Sequence, residues 1–111
     1  MTTSFLDPVA LAAFRPDRMA KADLVRGSRL FLGLNCFEAG QAQKLHTHPE
    51  ADKFYFIVQG KARMTVGEVT RVVEAGMVVW APADVPHGVE EALERTVMLI
   101  GMAPPPAGQT L

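Results

Sequence analysis

The sequence predicts an all-β domain, a sandwich or barrel, preceded by a short helix. Three observations lead there. At 111 residues the chain is long enough to bury one core but has no room for a second fold. After residue 21 it becomes a series of short β-rich runs broken by Gly, Pro and Asp at the intervals of a sandwich or barrel. Several of those runs, "KFYFIV", "MVVWA" and "VMLIG", are apolar at consecutive positions, as in strands covered on both faces.

The elements follow in order. In "DPVALAAF", Asp7 is placed to accept backbone N–H bonds as N-cap, and Pro8 suits the first helical position, where a missing donor costs nothing. Pro16 closes this helix, and Pro16-Asp17 repeats the same chemistry, which predicts a second helical turn over 16–20. Strands are expected near 22–26, 29–38, 42–48, 53–59, 61–66, 69–74, 77–81, 87–91 and 95–102. "TVGEVT" holds a tight turn at Gly67, and "EAGM" and "PADVP" are turns made by Gly, Pro and Asp. The tail "APPPAGQTL" is too Pro-rich and polar to join a sheet and is expected to be loose. The division is thus a helical segment 1–20, a barrel 21–103 and a tail 104–111, without an internal repeat.

Strands apolar on both faces need two covers. One face fills the barrel, and the short helix shields only part of the other, which predicts a homodimer built through a sheet face.

Composition excludes several functions. Eleven Lys and Arg stand against twelve Asp and Glu with no long like-charge block, so neither a nucleic acid nor a membrane surface has an electrostatic footprint. No apolar run approaches the roughly 20 residues needed to cross a bilayer. The lone Cys36 has no intrachain disulfide partner, and the first residues lack signal-peptide character, which predicts a reducing, cytoplasmic location.

The chemistry lies in the histidines. His46 and His48 are two apart, so on a strand both side chains leave the same face, and His87 follows a Pro-Ala-Asp-Val-Pro turn before another strand. Imidazole is the commonest ligand for divalent first-row metals, and three of them with open positions leave room for water or substrate. A His-x-His pair alone also fits surface or core histidines. Its setting is more specific. Gly40 is followed after five residues by His46-Thr47-His48, after four more by Lys53 and after six by Gly60; fifteen residues later comes Gly76, then after five Pro82, then His87.

This pattern resembles the two signature motifs of the cupin superfamily over roughly residues 21–103, with Gly40, His46, His48, Gly60, Gly76, Pro82 and His87 in register. The likeness is closest to small single-domain bacterial cupins, in which an Asp-Lys pair also follows the His-x-His. The resemblance implies a double-stranded β-helix, a jelly-roll β-barrel, usually dimeric, with its site inside the barrel mouth. It also implies His46, His48 and His87 as ligands of a divalent transition metal such as Fe, Mn, Zn or Ni. Three departures stand out: Lys53 occupies the position of the family's ligand glutamate, Asp84 that of a motif glycine and Glu91 that of the final Asn.

On a strand Lys53, Tyr55 and Ile57 share one face and Phe54, Phe56 and Val58 the other. An ammonium ~5 Å from a divalent ion would repel it by roughly 6 to 7 kcal/mol at an effective dielectric of about 20. Three arrangements are open. Lys53 swings to the rim and pairs with Glu50, Asp52 or Glu91; an anion sits between metal and lysine; or the cavity holds no metal, and a neutral or ion-paired lysine bonds the histidines. The expected outcome is a metal site weaker than one with the glutamate. Lys53 with a pKa lowered by burial is a candidate general base, and Tyr55, on the same face, a candidate donor to the bound molecule.

Other residues have plainer readings. Trp80 and Met77 are expected in the core, Cys36 as a small buried hydrophobe, and Lys44 as a solvated neighbour of His46. Glu91 is a candidate to orient a ligand imidazole. The function expected is a three-histidine metalloenzyme acting on a small anionic organic molecule by oxygenase, isomerase or lyase chemistry. The competing expectations are a non-catalytic small-ligand binder with structural metal or none, and a purely structural dimer module.

Overall fold

The computed structural model describes residues 3–107. A single turn of helix, α1 (Pro8–Leu11), precedes nine strands: β1 (Ala20–Arg26), β2 (Phe31–Phe37), β3 (Gln43–His46), β4 (Asp52–Gln59), β5 (Lys61–Val66), β6 (Val69–Glu74), β7 (Val78–Ala81), β8 (His87–Ala92) and β9 (Thr96–Ala103). Asp7 caps α1 as its sequence requires, its carboxylate accepting from the Val9 and Ala10 N–H groups. The second helical turn over 16–20 does not form. Residues 16–18 make a bend, Arg15 and Asp17 pair with each other at 3.1 Å, and Ala20 already begins β1. Pairing of Ala20 with Cys36 of β2 takes the end of this segment into the sheet.

Two antiparallel sheets face each other, one in the order β1-β2-β9-β4-β7 and the other β3-β8-β5-β6. From β4 on, the chain passes between them repeatedly, which makes the double-stranded β-helix that the motifs imply. Residues of both inner faces meet in one core: Phe37, Tyr55, Ile57, Ala81, Met98 and Ile100 from the first sheet against Ala62, Met64, Val73, Val89 and Ala92 from the second. Gly60, between β4 and β5, has φ 97, and a Cβ there would drive into the Arg95 carbonyl and Thr96. Only glycine lets the chain cross between sheets at this point. Gly67 opens the β5–β6 hairpin with φ 61, the sign a two-residue II′ loop needs at its first position.

The outer face of the first sheet is covered unevenly. Leu34, Cys36 and Val97 are buried there beneath Ala12 and Phe14 of the N-terminal segment, together with Ala20, Ala22 and Leu24 of β1. Toward the β7 edge this cover ends. Trp80 is 55 % and Val78 62 % exposed. Trp80 is therefore not a core residue: Tyr55 pairs with Val79 facing inward, so Phe54 pairs with Trp80 facing outward. Met77 is partly buried and packs on the core as expected.

No helix among the described residues is long and apolar enough to cross a membrane. Of the tail expected to be loose, residues 108–111 lie outside the described residues. Residues 104–107 join no sheet, but Arg26 donates to the Pro106 carbonyl at 2.8 Å.

Candidate metal centre

β3 and β8 bring the first two histidines together. His46, the last residue of β3, pairs directly with His87, the first of β8, and their ring centroids are 4.4 Å apart. Gly88 permits the close approach of these strands, since a Cβ there would lie 2.8 Å from the Gln43 carbonyl oxygen. The strand expected to run through His48 stops at His46, because its partner β8 begins at His87 and the preceding Pro86 has no N–H to extend the ladder. His48 converges nonetheless, its ring centroid 5.0 Å from that of His46 and 5.4 Å from that of His87. One ligand-capable nitrogen from each of the three lies within 4.8 Å of the others.

Backbone carbonyls orient two of the rings. His46 Nδ1 lies 2.7 Å from the Lys44 carbonyl and His87 Nδ1 2.9 Å from the Val85 carbonyl. A carbonyl only accepts, so each Nδ1 carries the proton and each Nε2 keeps its lone pair. The His87 Nε2 is buried and has no hydrogen-bond partner among the described residues. Two further bonds tie the ligand-bearing loops together: the Asp84 N–H donates to the His48 carbonyl at 3.3 Å, and the Ala83 N–H to Asp52 Oδ1 at 2.9 Å. Asp84 has φ 69, the only non-glycine with positive φ among the described residues. It occupies the motif's glycine position and keeps that glycine's left-handed backbone, which Asp tolerates better than most residues.

Burial sets the charge state. Desolvation first, and then the Lys53 ammonium, push His48 down to about 4. Desolvation lowers His46 and His87 as well, against the opposing effect of their carbonyl bonds. Near neutral pH the three imidazoles are uncharged, which is the form that binds metal. An unpartnered buried lone pair among neutral imidazoles fits a divalent transition ion.

Lys53 is in the barrel, not at the rim. It is 5 % exposed, pairs in register with Met102 and Ala81, and holds Nζ 4.8 Å from the centroid of the Tyr55 ring. The rim arrangement is overturned: the side chain makes no ion pair among the described residues, Glu91 binds Arg63 at 3.4 Å, and Asp52 accepts from Ala83. Burial, with a smaller contribution from Lys21, pushes Lys53 down to about 8. Beside it, Tyr55 has a buried hydroxyl without a partner among the described residues, and burial raises it above the usual phenol range. Its ring meets that of His87 edge-on at 6.1 Å.

Glu91 does not orient an imidazole. A register shift in the β5–β8 pairing turns Glu90 and Glu91 outward and puts Ala92 in the core, so the carbonyls of Lys44 and Val85 do that work. Lys44 is exposed, and Cys36 is buried with its thiol pushed up by desolvation. Lys21 and Asn35 were not singled out by sequence. They are paired across β1 and β2, and with His48 and Lys53 they line a small cleft of about 80 Å³.

Residues 33–100, more than half of the chain, match the family described as "Cupin domain". The chain is a cupin. This cupin is 32 % identical over 104 residues to the "Uncharacterized protein SCO3923" of Streptomyces coelicolor, a match covering 86 % of this chain and 98 % of that one. It superimposes on the crystal structure of TT1209 from Thermus thermophilus with a TM-score of 0.87 at 35 % identity, covering 94 % of this cupin and 100 % of that chain. The conserved SPY1581 protein of unknown function from Streptococcus pyogenes matches with a TM-score of 0.79 at 27 % identity, over 96 % and 92 % of the two chains.

Proposed function

We propose that this cupin holds one divalent transition ion, iron, manganese, zinc or nickel, on His46, His48 and His87. Beside that ion it acts on a small anionic organic molecule by oxygenation, isomerisation or lyase chemistry. The observation that carries this reading is the buried, unpartnered Nε2 of His87 among imidazoles held neutral. The bound ion would supply Lewis acidity toward an oxygen of the ligand. The chain supplies the rest. Lys53 provides positive charge where an anion would lie, and near pH 8 it can give or take a proton. The Tyr55 hydroxyl, protonated and unpartnered, can donate one hydrogen bond to that molecule.

Elemental analysis of freshly purified protein tests the reading. The expected result is one transition ion per chain, lost in His46→Ala and His87→Ala with an unchanged far-ultraviolet dichroism spectrum. Metal-free protein that takes up neither Co²⁺ nor Zn²⁺ would sink it. A second reading, a non-catalytic binder without metal, is favoured by one observation: a buried ammonium where a carboxylate ligand would offset the ion's charge.

We further propose that the uncovered edge of the first sheet is closed by a second copy of the chain. Trp80 and Val78 are exposed there beside Phe54 and Phe56 on the same face, a patch suited to an isologous contact. A cytoplasmic setting fits the single, buried Cys36.

A further inference from the structure

The cleft beside the histidines has an unusual charge pattern. Its polar lining is Lys21, Lys53, Asn35 and His48, with no acidic side chain, and its walls are apolar, Phe31, Leu34, Ile100, Met102 and Pro106 among them. Neither lysine takes part in an ion pair among the described residues. The pairing explains why they meet. Lys21 lies opposite Asn35 on β2, and Phe31 on β2 lies opposite Met102 on β9, which in turn lies opposite Lys53 on β4. The inner face between them is set by Gly33, opposite Ile100, which contributes no side chain. Two cations therefore flank an apolar recess, Lys53 buried and Lys21 exposed, and the Lys21 ammonium disfavours the charge of Lys53.

We propose that Lys21 and Lys53 clamp the carboxylate of a short aliphatic acid, whose hydrocarbon body lies on Phe31, Ile100 and Met102 and whose other end meets the histidines. Lys21 is then a specificity residue that selects acids over neutral isosteres. An anion between the lysines turns their mutual repulsion into two attractions, and the apolar walls reject a heavily hydroxylated body. This rests on the proposed function for its orientation toward the metal, but the clamp itself needs only the lysines.

The test uses the metal-free full chain at pH 7 with 3-methylbutanoate and its neutral isostere 3-methylbutanamide, binding being read from amide shifts in NMR titrations. The expected result is acid binding at least tenfold tighter than amide binding, with the largest shifts around Lys53 and Asn35. Lys21→Gln is expected to weaken the acid about tenfold, while Arg71→Gln, on the far edge strand β6, leaves it unchanged. Equal binding of acid and amide, or acid affinity within twofold of the parent in Lys21→Gln, would overturn the proposal. A parallel Co²⁺ titration separates the two readings. Protein that binds cobalt but shows no Lys21-dependent acid binding loses the clamp and keeps the metal centre. Lys21-dependent acid binding without cobalt uptake does the reverse.

Discussion

His46 and His87 face each other as a cross-strand pair, each with Nδ1 committed to the carbonyl two residues before it. The centre is thereby oriented before any ion arrives. In metal-free protein at pH 7, both rings are expected as the Nδ1–H tautomer and neutral, with His48 remaining neutral until the pH falls toward about 4. Long-range ¹⁵N–¹H spectra of the imidazoles check this. An Nε2–H tautomer at His87 would contradict the assignment of its lone pair.

Lys53 gives stability a slope on the alkaline side. Its pKa is about 8 in the fold against 10.5 ordinarily, so between these values the unfolded chain binds more protons and stability rises with pH. From pH 7 to 9.5 the gain is about 2 kcal/mol in metal-free protein. The Cys36 thiol and, above pH 10, Tyr55 are raised in the fold and act in the opposite sense, so urea unfolding should be followed below pH 10 with parent and variant both in a Cys36→Ala background. Lys53→Met should flatten the slope and raise stability at pH 7. A parent profile that is flat from pH 7 to 9.5 would count against a buried lysine.

Asp84 holds a left-handed backbone between Pro82 and His87. Asp84→Gly should leave the fold intact and stabilise it by up to about 1 kcal/mol, Asp84→Asn should be nearly neutral, and Asp84→Ala should destabilise by about 1 kcal/mol. Thermal unfolding midpoints report the order. If alanine were the most stable of the three, the positive φ would be in error.

The patch at β7 predicts a dimer. Light scattering at micromolar concentration should give twice the 12.0 kDa chain mass, and Trp80→Lys should return it to one. Trp80 is the sole tryptophan, so its emission should shift to the blue as the parent associates. A parent mass of one chain at that concentration would end the proposal.

The barrel was legible because its signals are local: glycine, proline and alternation mark each strand, and seven residues in register mark the family. His46 and His87 could be named without coordinates, but not their pairing, which depends on how β3 and β8 align. Trp80 was misplaced because a strand apolar on both faces does not reveal which parity points inward. The outward turn of Glu91 depends on a register shift that no residue type announces. Lys21 carried no signal at all, since only the β1–β2 ladder brings it beside Lys53.

The N-terminal segment laid over β2 has one more consequence. Ala12 and Phe14 roof the same small cluster that encloses the Cys36 thiol, and the backbone at Ala13 is within hydrogen-bonding reach of that sulfur. A thiol reagent reaches the sulfur only while this strap is lifted, so its rate of reaction under native conditions acts as a stopwatch for local opening. The cysteine without chemistry of its own becomes a built-in reporter of how firmly the N-terminal segment is docked on the outer face of the first sheet.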